Sequence, residues 1–369
     1  MKSFQEFISN DIGTVEGKLI TGIIGEIPSK TARSPKLWNP AFERLKLEAV
    51  FLPFDVSKNN LESLINALKQ DERVLGFSVT NPYKSEIIKY LDEIDEIARQ
   101  IDAVNTVVRS KDGKIKGYNT DGKGFIDSLL IPHPGYDKEE PFLYSLRLEG
   151  KKILVIGAGG ASKSVSFYLA KEIGKDGRIY IANRTLENAR SITSKIESFY
   201  KCAATPIDEI DIAFCLSNAD ILVNASIKGS DGLKQVDGRY FCLRNFSSLA
   251  PATPIAIPRL EDEDDTNLLD RIDIANRREI QKNKYDSTRL FINLPKDKKL
   301  HIADIIHTPA ETILLAQAGH FGHSTMNGIG MNIMQAVDSF YKIMNSYLYD
   351  KGYSNEAYNM VKDTMFSVK

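Results

Sequence analysis

Gly157-Ala158-Gly159-Gly160-Ala161 lies between an apolar run and a helix-like stretch. Glycines in such a turn let the backbone bend sharply and come close to a pyrophosphate. The helix that follows presents unpaired N–H groups and a positive dipole end to the anion. The strand–turn–helix setting, more than the glycines themselves, makes this a dinucleotide signal. The next strand ends Ala182-Asn183-Arg184-Thr185. A site built for NAD normally carries an acid there to hold the ribose hydroxyls. This chain carries Arg184, with Asn183 and Thr185 as further hydrogen-bond groups. A guanidinium fork suits a 2′-phosphate, and no carboxylate stands there to repel it. The expected cofactor is NADP rather than NAD.

Four other short stretches gather polar groups as a core would not: 78–84 (Ser-Val-Thr-Asn-Pro-Tyr-Lys), 103–106 (Ala-Val-Asn-Thr), 117–122 (Gly-Tyr-Asn-Thr-Asp-Gly) and 327–335. The first closes a strand, at the edge where α/β sheets bind ligands. Its last residue, Lys84, is expected to open a helix, where a cation is mildly unfavourable, and so hints at use. Asp121, just past a hairpin, is placed to pair with it.

The elements that must hold these residues alternate between short apolar runs and amphipathic stretches. Residues 18–27, 49–56 and 74–80 read as strands, and 61–70 and 85–101 as helices. Ser34-Pro35 starts another helix, with Ser34 as cap and Pro40 as a kink in its second turn. Residues 105–120 form a hairpin around Asp112-Gly113. After a Pro-rich loop (131–142), a second α/β unit opens with 151–174, continues through strands 178–183 and 219–226, and is interrupted at about 229–300. The acidic run 261–265 within that insertion reads as a solvated surface, with an acidic docking face as the alternative. Two helices, 308–319 and 326–349, follow.

Composition narrows the class. With 369 residues, 42% hydrophobic and a net charge of −1, the chain reads as an ordinary globular protein of about two domains. Balanced charge argues against a nucleic-acid partner. No run of about 18 apolar residues predicts a membrane span, and the opening residues lack the apolar core of a leader. The three cysteines (Cys202, Cys215, Cys242) have no metal-ligand spacing and read as reduced thiols, so a cytoplasmic location is expected. His320 and His323 have no carboxylate or cysteine at ligand spacing, so no metal is expected.

In order and spacing, the stretches 25–35, 78–84, 103–106, 118–122, 157–161, 183–185, 224–226 and 327–335 resemble the shikimate dehydrogenase family. The resemblance implies reversible NADP-dependent reduction of 3-dehydroshikimate to shikimate, with a small-molecule substrate and no membrane partner. It leaves a homodimer open. Lys84 matches the family's catalytic lysine and Asp121 its partner. Thr31, Ser34, Thr80, Asn105, His307 and Gln335 match the substrate side. Glu96, Asn224, Ser226, Ile305, Gly328 and Met331 match the cofactor side, beside the Gly157 turn and Arg184. The implied fold is α/β in two domains. Residues 1–129 with the C-terminal helices of 301–369 form the substrate domain, residues 130–300 form the Rossmann-type NADP domain, and the active site lies in a cleft between them.

The chain departs from the family at three places. The Ser-x-Ser-Pro element reads Ala32-Arg33-Ser34-Pro35, with Thr31, Arg33 or Lys30 as candidate replacements for the lost hydroxyl. The tyrosine before x-Pro is His307, and the glycine before Ala-Val-Asn is Asp102. Two of these touch the carboxylate end of the substrate. They leave open a quinate or aminoshikimate dehydrogenase, or a regulatory protein that binds without turnover.

Overall fold

In the first part of the chain, β1 (Leu19–Gly25) is followed by α1 (Pro28–Thr31), α2 (Ser34–Arg44), β2 (Ala49–Asp55), α3 (Leu61–Gln70) and β3 (Gly76–Val79). Then come β4 (Glu93–Ile94), α4 (Glu96–Ile101), β5 (Thr106–Arg109), β6 (Ile115–Tyr118) and α5 (Asp121–Leu130). The sheet runs β2-β1-β3-β5-β6-β4. β1 is buried along nearly its whole length, as a strand with parallel neighbours on both sides requires. β5 and β6 form the expected antiparallel hairpin, turning through Gly113 at φ +85°.

This computed structural model describes residues 4–143, 148–353 and 356–368. The chain divides into two units, Met1–Ser128 with Met331–Lys369, and Leu129–Gly330.

The expected helix over 85–101 does not form as one piece. A 3-10 turn (Glu86–Tyr90) gives way to β4, which pairs with β6, before α4 begins. The cause is the acids in the run. Asp92 accepts the Ile115 amide at 2.8 Å, and Asp95 caps α4 by accepting the Ile97 amide at 3.2 Å. Lys84 therefore precedes a 3-10 turn rather than opening an α-helix. α2 begins at Ser34 with Pro35 in its first turn, so Ser34 is its first residue rather than its cap; the capping position is Arg33, whose side chain makes no capping bond.

The second unit holds β7 (Lys152–Ile156), α6 (Gly160–Ile173), β8 (Arg178–Asn183), α7 (Leu186–Tyr200), β9 (Ala203–Asp208), α8 (Ile212–Asn218) and β10 (Ile221–Asn224). A small hairpin, β11 (Lys234–Val236) and β12 (Arg239–Phe241), and two helices, α9 (Asp265–Ala275) and α10 (Arg277–Ile292), make up the insertion. β13 (His301–Asp304), α11 (Ile313–His320) and β14 (Ser324–Met326) complete it. The sheet is parallel throughout, in the order β14-β13-β10-β7-β8-β9. Strand order reverses between β7 and β10, the position where such sheets bind ligands.

One reading of this half changes. Residues 301–330 belong to the second unit, because β13 pairs with β10 and β14 with β13. The acidic run lies at the surface as expected, with residues 261, 262, 264 and 265 exposed, and some of its members are paired. Glu263 accepts two bonds from Arg271 at 2.9 Å, Asp264 caps α9, and Asp265 pairs with Arg259 at 2.6 Å.

The chain re-enters the first unit along α12 (Ile329–Asp350) and ends in α13 (Glu356–Ser367). An aromatic cluster holds α12 there. Trp38 packs its ring 4.6 Å from Phe51 and 5.0 Å from Phe340, and Phe42 lies 5.4 Å from Phe340. No helix among the described residues is long and apolar enough to cross a membrane.

The cluster predicts that Phe340→Ala destabilises the first unit by about 3–5 kcal/mol. Urea unfolding followed by the fluorescence of Trp38, the only tryptophan, measures this. An unshifted midpoint would mean that α12 is held elsewhere.

Candidate functional site

The Asp121 carboxylate, on the first residue of α5, is held from both sides. Lys84 Nζ donates to Oδ2 at 2.7 Å, and Asn105 Nδ2 donates to Oδ1 at 2.8 Å. Asn105 is itself fixed. Its Oδ1 accepts the Thr120 amide at 2.9 Å and the Thr106 hydroxyl at 3.1 Å, and it is only 4% exposed. With both oxygens engaged, the carboxylate can hardly rotate, and the ammonium it holds points in one direction. Lys84 remains partly exposed at 27% of its side chain, so Nζ stays reachable.

Backbone contacts place these groups. The Lys84 carbonyl accepts the Val104 amide, the Asn105 carbonyl accepts the Val79 amide, and the Ile24 carbonyl accepts the Thr80 amide, all at 2.8–2.9 Å. From α12, Gln335 Oε1 accepts the Thr120 hydroxyl at 3.4 Å, and the Ser339 hydroxyl is hydrogen-bonded to that of Thr106 at 2.9 Å. α5 can approach α12 this closely only because residue 124 is glycine, since a Cβ there would fall 2.4 Å from the Gln335 nitrogen. The structure thus brings Lys84, Thr80, Asn105, Asp121 and Gln335 to one region. Thr120, Thr106 and Ser339 support them. Thr106 and Thr120 fall within the stretches 103–106 and 117–122 but were given no role of their own, and Ser339 was missed because a single hydroxyl on a helix carries no distinctive signal.

Other predicted substrate residues are placed less directly. The Thr31 hydroxyl donates to the Ile27 carbonyl at 3.1 Å. Arg33 turns to the Val368 carbonyl at 2.8 Å. Glu96 sits on the exposed side of α4, bonded by Gln100. His307 is exposed in the second unit, 3.0 Å from the Thr308 hydroxyl. Met331 is buried near the start of α12.

In the second unit, Gly157 at φ +111° makes the turn from β7 to α6. A side chain there would strike the Ala225 carbonyl at 2.8 Å, so glycine is required. A Cβ at Gly159 or Gly160 would meet nothing within 4 Å, so this turn faces open space and suits a pyrophosphate. Ala158 and Ala161 flank it, and Ser162 braces it by donating to the Gly157 carbonyl at 2.5 Å. At the end of β8, Asn183 Nδ2 donates to the Thr185 carbonyl at 2.8 Å, and the exposed Arg184 lies between them. A cavity of about 230 Å³ opens here, bordered by Gly157, Asn183, Arg184 and Ser226.

One acid was overlooked. Asp304, 1% exposed at the end of β13, accepts bonds from Asn224 Nδ2 at 3.0 Å, the Ile306 amide at 2.9 Å and the Thr312 hydroxyl at 2.8 Å. Asn224 in turn accepts the Ser226 amide and hydroxyl at 3.1 and 2.7 Å. Asp304 so ties the loop after β10 to the loop carrying Ile305, whose neighbour Ile306 accepts the Gly328 amide at 2.9 Å. A carboxylate inside the apolar run Leu300-His301-Ile302-Ala303-Asp304-Ile305-Ile306 was the signal available. Burial pushes its pKa up to about 6, against the lowering effect of its donors.

No cluster of metal-ligating side chains occurs among the described residues, and His323 packs 5.4 Å from the Phe291 ring.

Comparison with known proteins bears on this geometry. Residues 23–107 match a family model described as the shikimate dehydrogenase substrate binding domain, and 143–235 match one described as shikimate / quinate 5-dehydrogenase. A shikimate dehydrogenase (NADP(+)) of Alkaliphilus metalliredigens is 33% identical over 324 residues, covering 87% of this chain and 90% of its own. The chain belongs to the shikimate dehydrogenase family. A relative of the same name from Methanocaldococcus jannaschii is 32% identical over 87% of this chain and 89% of its own. A crystal structure of a shikimate dehydrogenase in complex with NADP+ superposes with a TM-score of 0.64 at 29% identity, over 95% of this chain and 96% of the other. The fold is also shared, at 22% identity and a TM-score of 0.64 over 96% of this chain and all of the other, with a Gluconobacter 5-ketofructose reductase. The fold by itself therefore does not fix the substrate.

The raised pKa of Asp304 predicts a pH dependence. Its proton is held more tightly in the folded chain than in the unfolded one. The associated stability is therefore complete below about pH 4 and is lost as pH rises through about 6, an effect on the order of 2–3 kcal/mol. Urea midpoints between pH 4 and 7 should fall more steeply in the natural chain than in Asp304→Asn. Parallel profiles would show that this carboxylate does not titrate in that range.

Proposed function

We propose that this protein is an NADP-dependent shikimate dehydrogenase. It interconverts 3-dehydroshikimate and shikimate in aromatic amino acid (chorismate) biosynthesis. The observation that carries the reading is the Lys84–Asp121 pair, locked by Asn105, in a chain of this family. The Gly157 and Arg184 loops would hold NADPH, which would supply the hydride. Arrival of hydride at the ketone carbon leaves an oxygen that needs a proton. Lys84 Nζ, held by Asp121, stabilises the developing charge and donates that proton. In the reverse direction neutral Lys84 accepts it. The proposed substrate groups are Thr31, Ser34, Thr80, Asn105 and Gln335 in the first unit and His307 in the second. The proposed cofactor groups are those of the Gly157 and Arg184 loops with Asn224, Ser226, Ile305 and Gly328, joined by Glu96 and Met331. A cytoplasmic location is supported by three free cysteines with no disulfide among them.

A second substrate is favoured by one observation. Ala32 carries no hydroxyl, Thr31 has spent its hydrogen on Ile27, and Arg33 is turned to Val368. The end of the site that the family uses for a carboxylate is therefore altered, and quinate is the natural competitor.

Nicotinamide absorbance with shikimate or quinate, each with NADP or NAD, tests both readings. Shikimate with NADP should turn over. Lys84→Ala should lower kcat by about 10²–10⁴-fold while leaving the KM for NADP nearly unchanged. Turnover of quinate alone would keep the mechanism and move the substrate. A folded protein that binds NADP but turns over neither would overturn the enzyme reading. Arg184→Ala should raise the KM for NADP by about tenfold or more and that for NAD by clearly less, as loss of a contact to the 2′-phosphate, which only NADP carries, requires.

A further inference from the structure

The cavity beside Arg184 has a second wall that the family motifs do not account for. Phe241, Leu243, Ala252 and Pro254, all from the insertion between β10 and β13, face the Gly157 turn and Arg184 across it. At about 230 Å³ it is smaller than the roughly 300–1,000 Å³ of a whole ligand site, so it suits one fragment of a dinucleotide.

The wall is built in advance. Asn283 of α10, 2% exposed, accepts the Ser247 amide at 2.7 Å. Its Nδ2 donates to the carbonyls of Ser247, Ala250 and Pro251 at 3.0–3.1 Å. Lys228 Nζ donates to the Ala250 carbonyl at 3.0 Å and pairs with Glu209 at 2.6 Å. The Gly229 amide donates to the Leu243 carbonyl at 3.0 Å. The segment leading from β12 to Pro254 is therefore clamped by buried polar groups before any ligand arrives.

The chemistry of the lining selects an occupant. Lys228 and Glu209 neutralise one another, which leaves the Arg184 guanidinium as the cation at an otherwise largely apolar slot. Such a slot suits a flat, uncharged ring, with a guanidinium to lie on its face. Its position beside the end of β8 is the ribose-phosphate side of the Gly157 turn. We infer that the inserted segment forms a preformed wall for the adenine of the cofactor, so that Phe241, Leu243 and Ala252 set the affinity for its adenosine end. This rests on the dinucleotide-site reading above, and goes beyond it by giving the insertion a ligand.

Calorimetric titration of the full chain with adenosine 2′,5′-bisphosphate, which lacks nicotinamide, tests this. Ala252→Trp fills the slot and should weaken binding by about tenfold or more, and Phe241→Ala opens it and should weaken binding by about three- to tenfold. The KM for NADP should rise in parallel while the KM for shikimate stays within about twofold. No binding of the bisphosphate to the natural chain, or equal binding to both variants when circular dichroism shows them folded, overturns the inference. If one variant fails to fold, the other decides. Loss of bisphosphate affinity in a protein without shikimate turnover would sink the enzyme reading and uphold this one. Turnover with an unchanged KM for NADP in the folded variants would do the reverse.

Discussion

A carboxylate with two oxygens can hold two partners, and the first unit is organised around one that does. Asp121 is gripped by Asn105 on one oxygen and offers the other to Lys84. Were Asn105 free, the carboxylate could swing, and the ammonium would sample many directions. Instead the hairpin, the start of α5 and one face of α12 converge on Asn105 and Thr120, and each contributes a hydrogen bond that removes a rotation. The core beneath exists to keep these three elements in register. The aromatic contacts of Trp38, Phe51 and Phe340 hold α12, and Gly124 lets α5 lie against it.

The second unit solves a related problem by another route. Loops at the ends of parallel strands must keep a shape without a sheet to hold them. Asp304 does this with a buried, unpaired charge, accepting from two loops and a helix cap at once. The arrangement is costly in desolvation, which its raised pKa records. What it secures is a fixed distance between the Asn224 loop and the Ile305 loop. The insertion repeats the device with a neutral group, Asn283, which fastens a loop by its main chain alone.

Much of this was legible in the residues. β8 and α3 fall on the expected ranges because their apolar periodicity has no competing use. The Gly157 turn was readable because only glycine fits it. Lys84 and Asp121 were readable together, through the order of short motifs, though neither was alone. What escaped had physical causes. Asp92 and Asp95 looked like the polar face of a helix and instead cap backbone amides. The run 301–304 has the apolarity of any buried strand, and only its pairing with β10 assigns it to the second unit. Asn105 was expected to meet substrate, and its further part in holding Asp121 escaped because it is set by neighbours distant in the chain. Within the insertion, the loop from β12 to Pro254 gave no periodic signal because it is fixed by side-chain clamps rather than by a sheet.

The single tryptophan and the three cysteines fall in different units, and this has a practical consequence. Trp38 lies in the first unit, whereas Cys202, Cys215 and Cys242 all lie in the second, buried as free thiols. Burial raises the pKa of each, to about 11 for Cys202 and Cys215, so thiolate is scarce and reagents reach the sulfurs only when that unit opens. One chain therefore carries two separate reporters of opening. Indole emission follows the half that holds Lys84, and alkylation rate follows the half that holds Arg184, with no label or added residue needed to tell them apart.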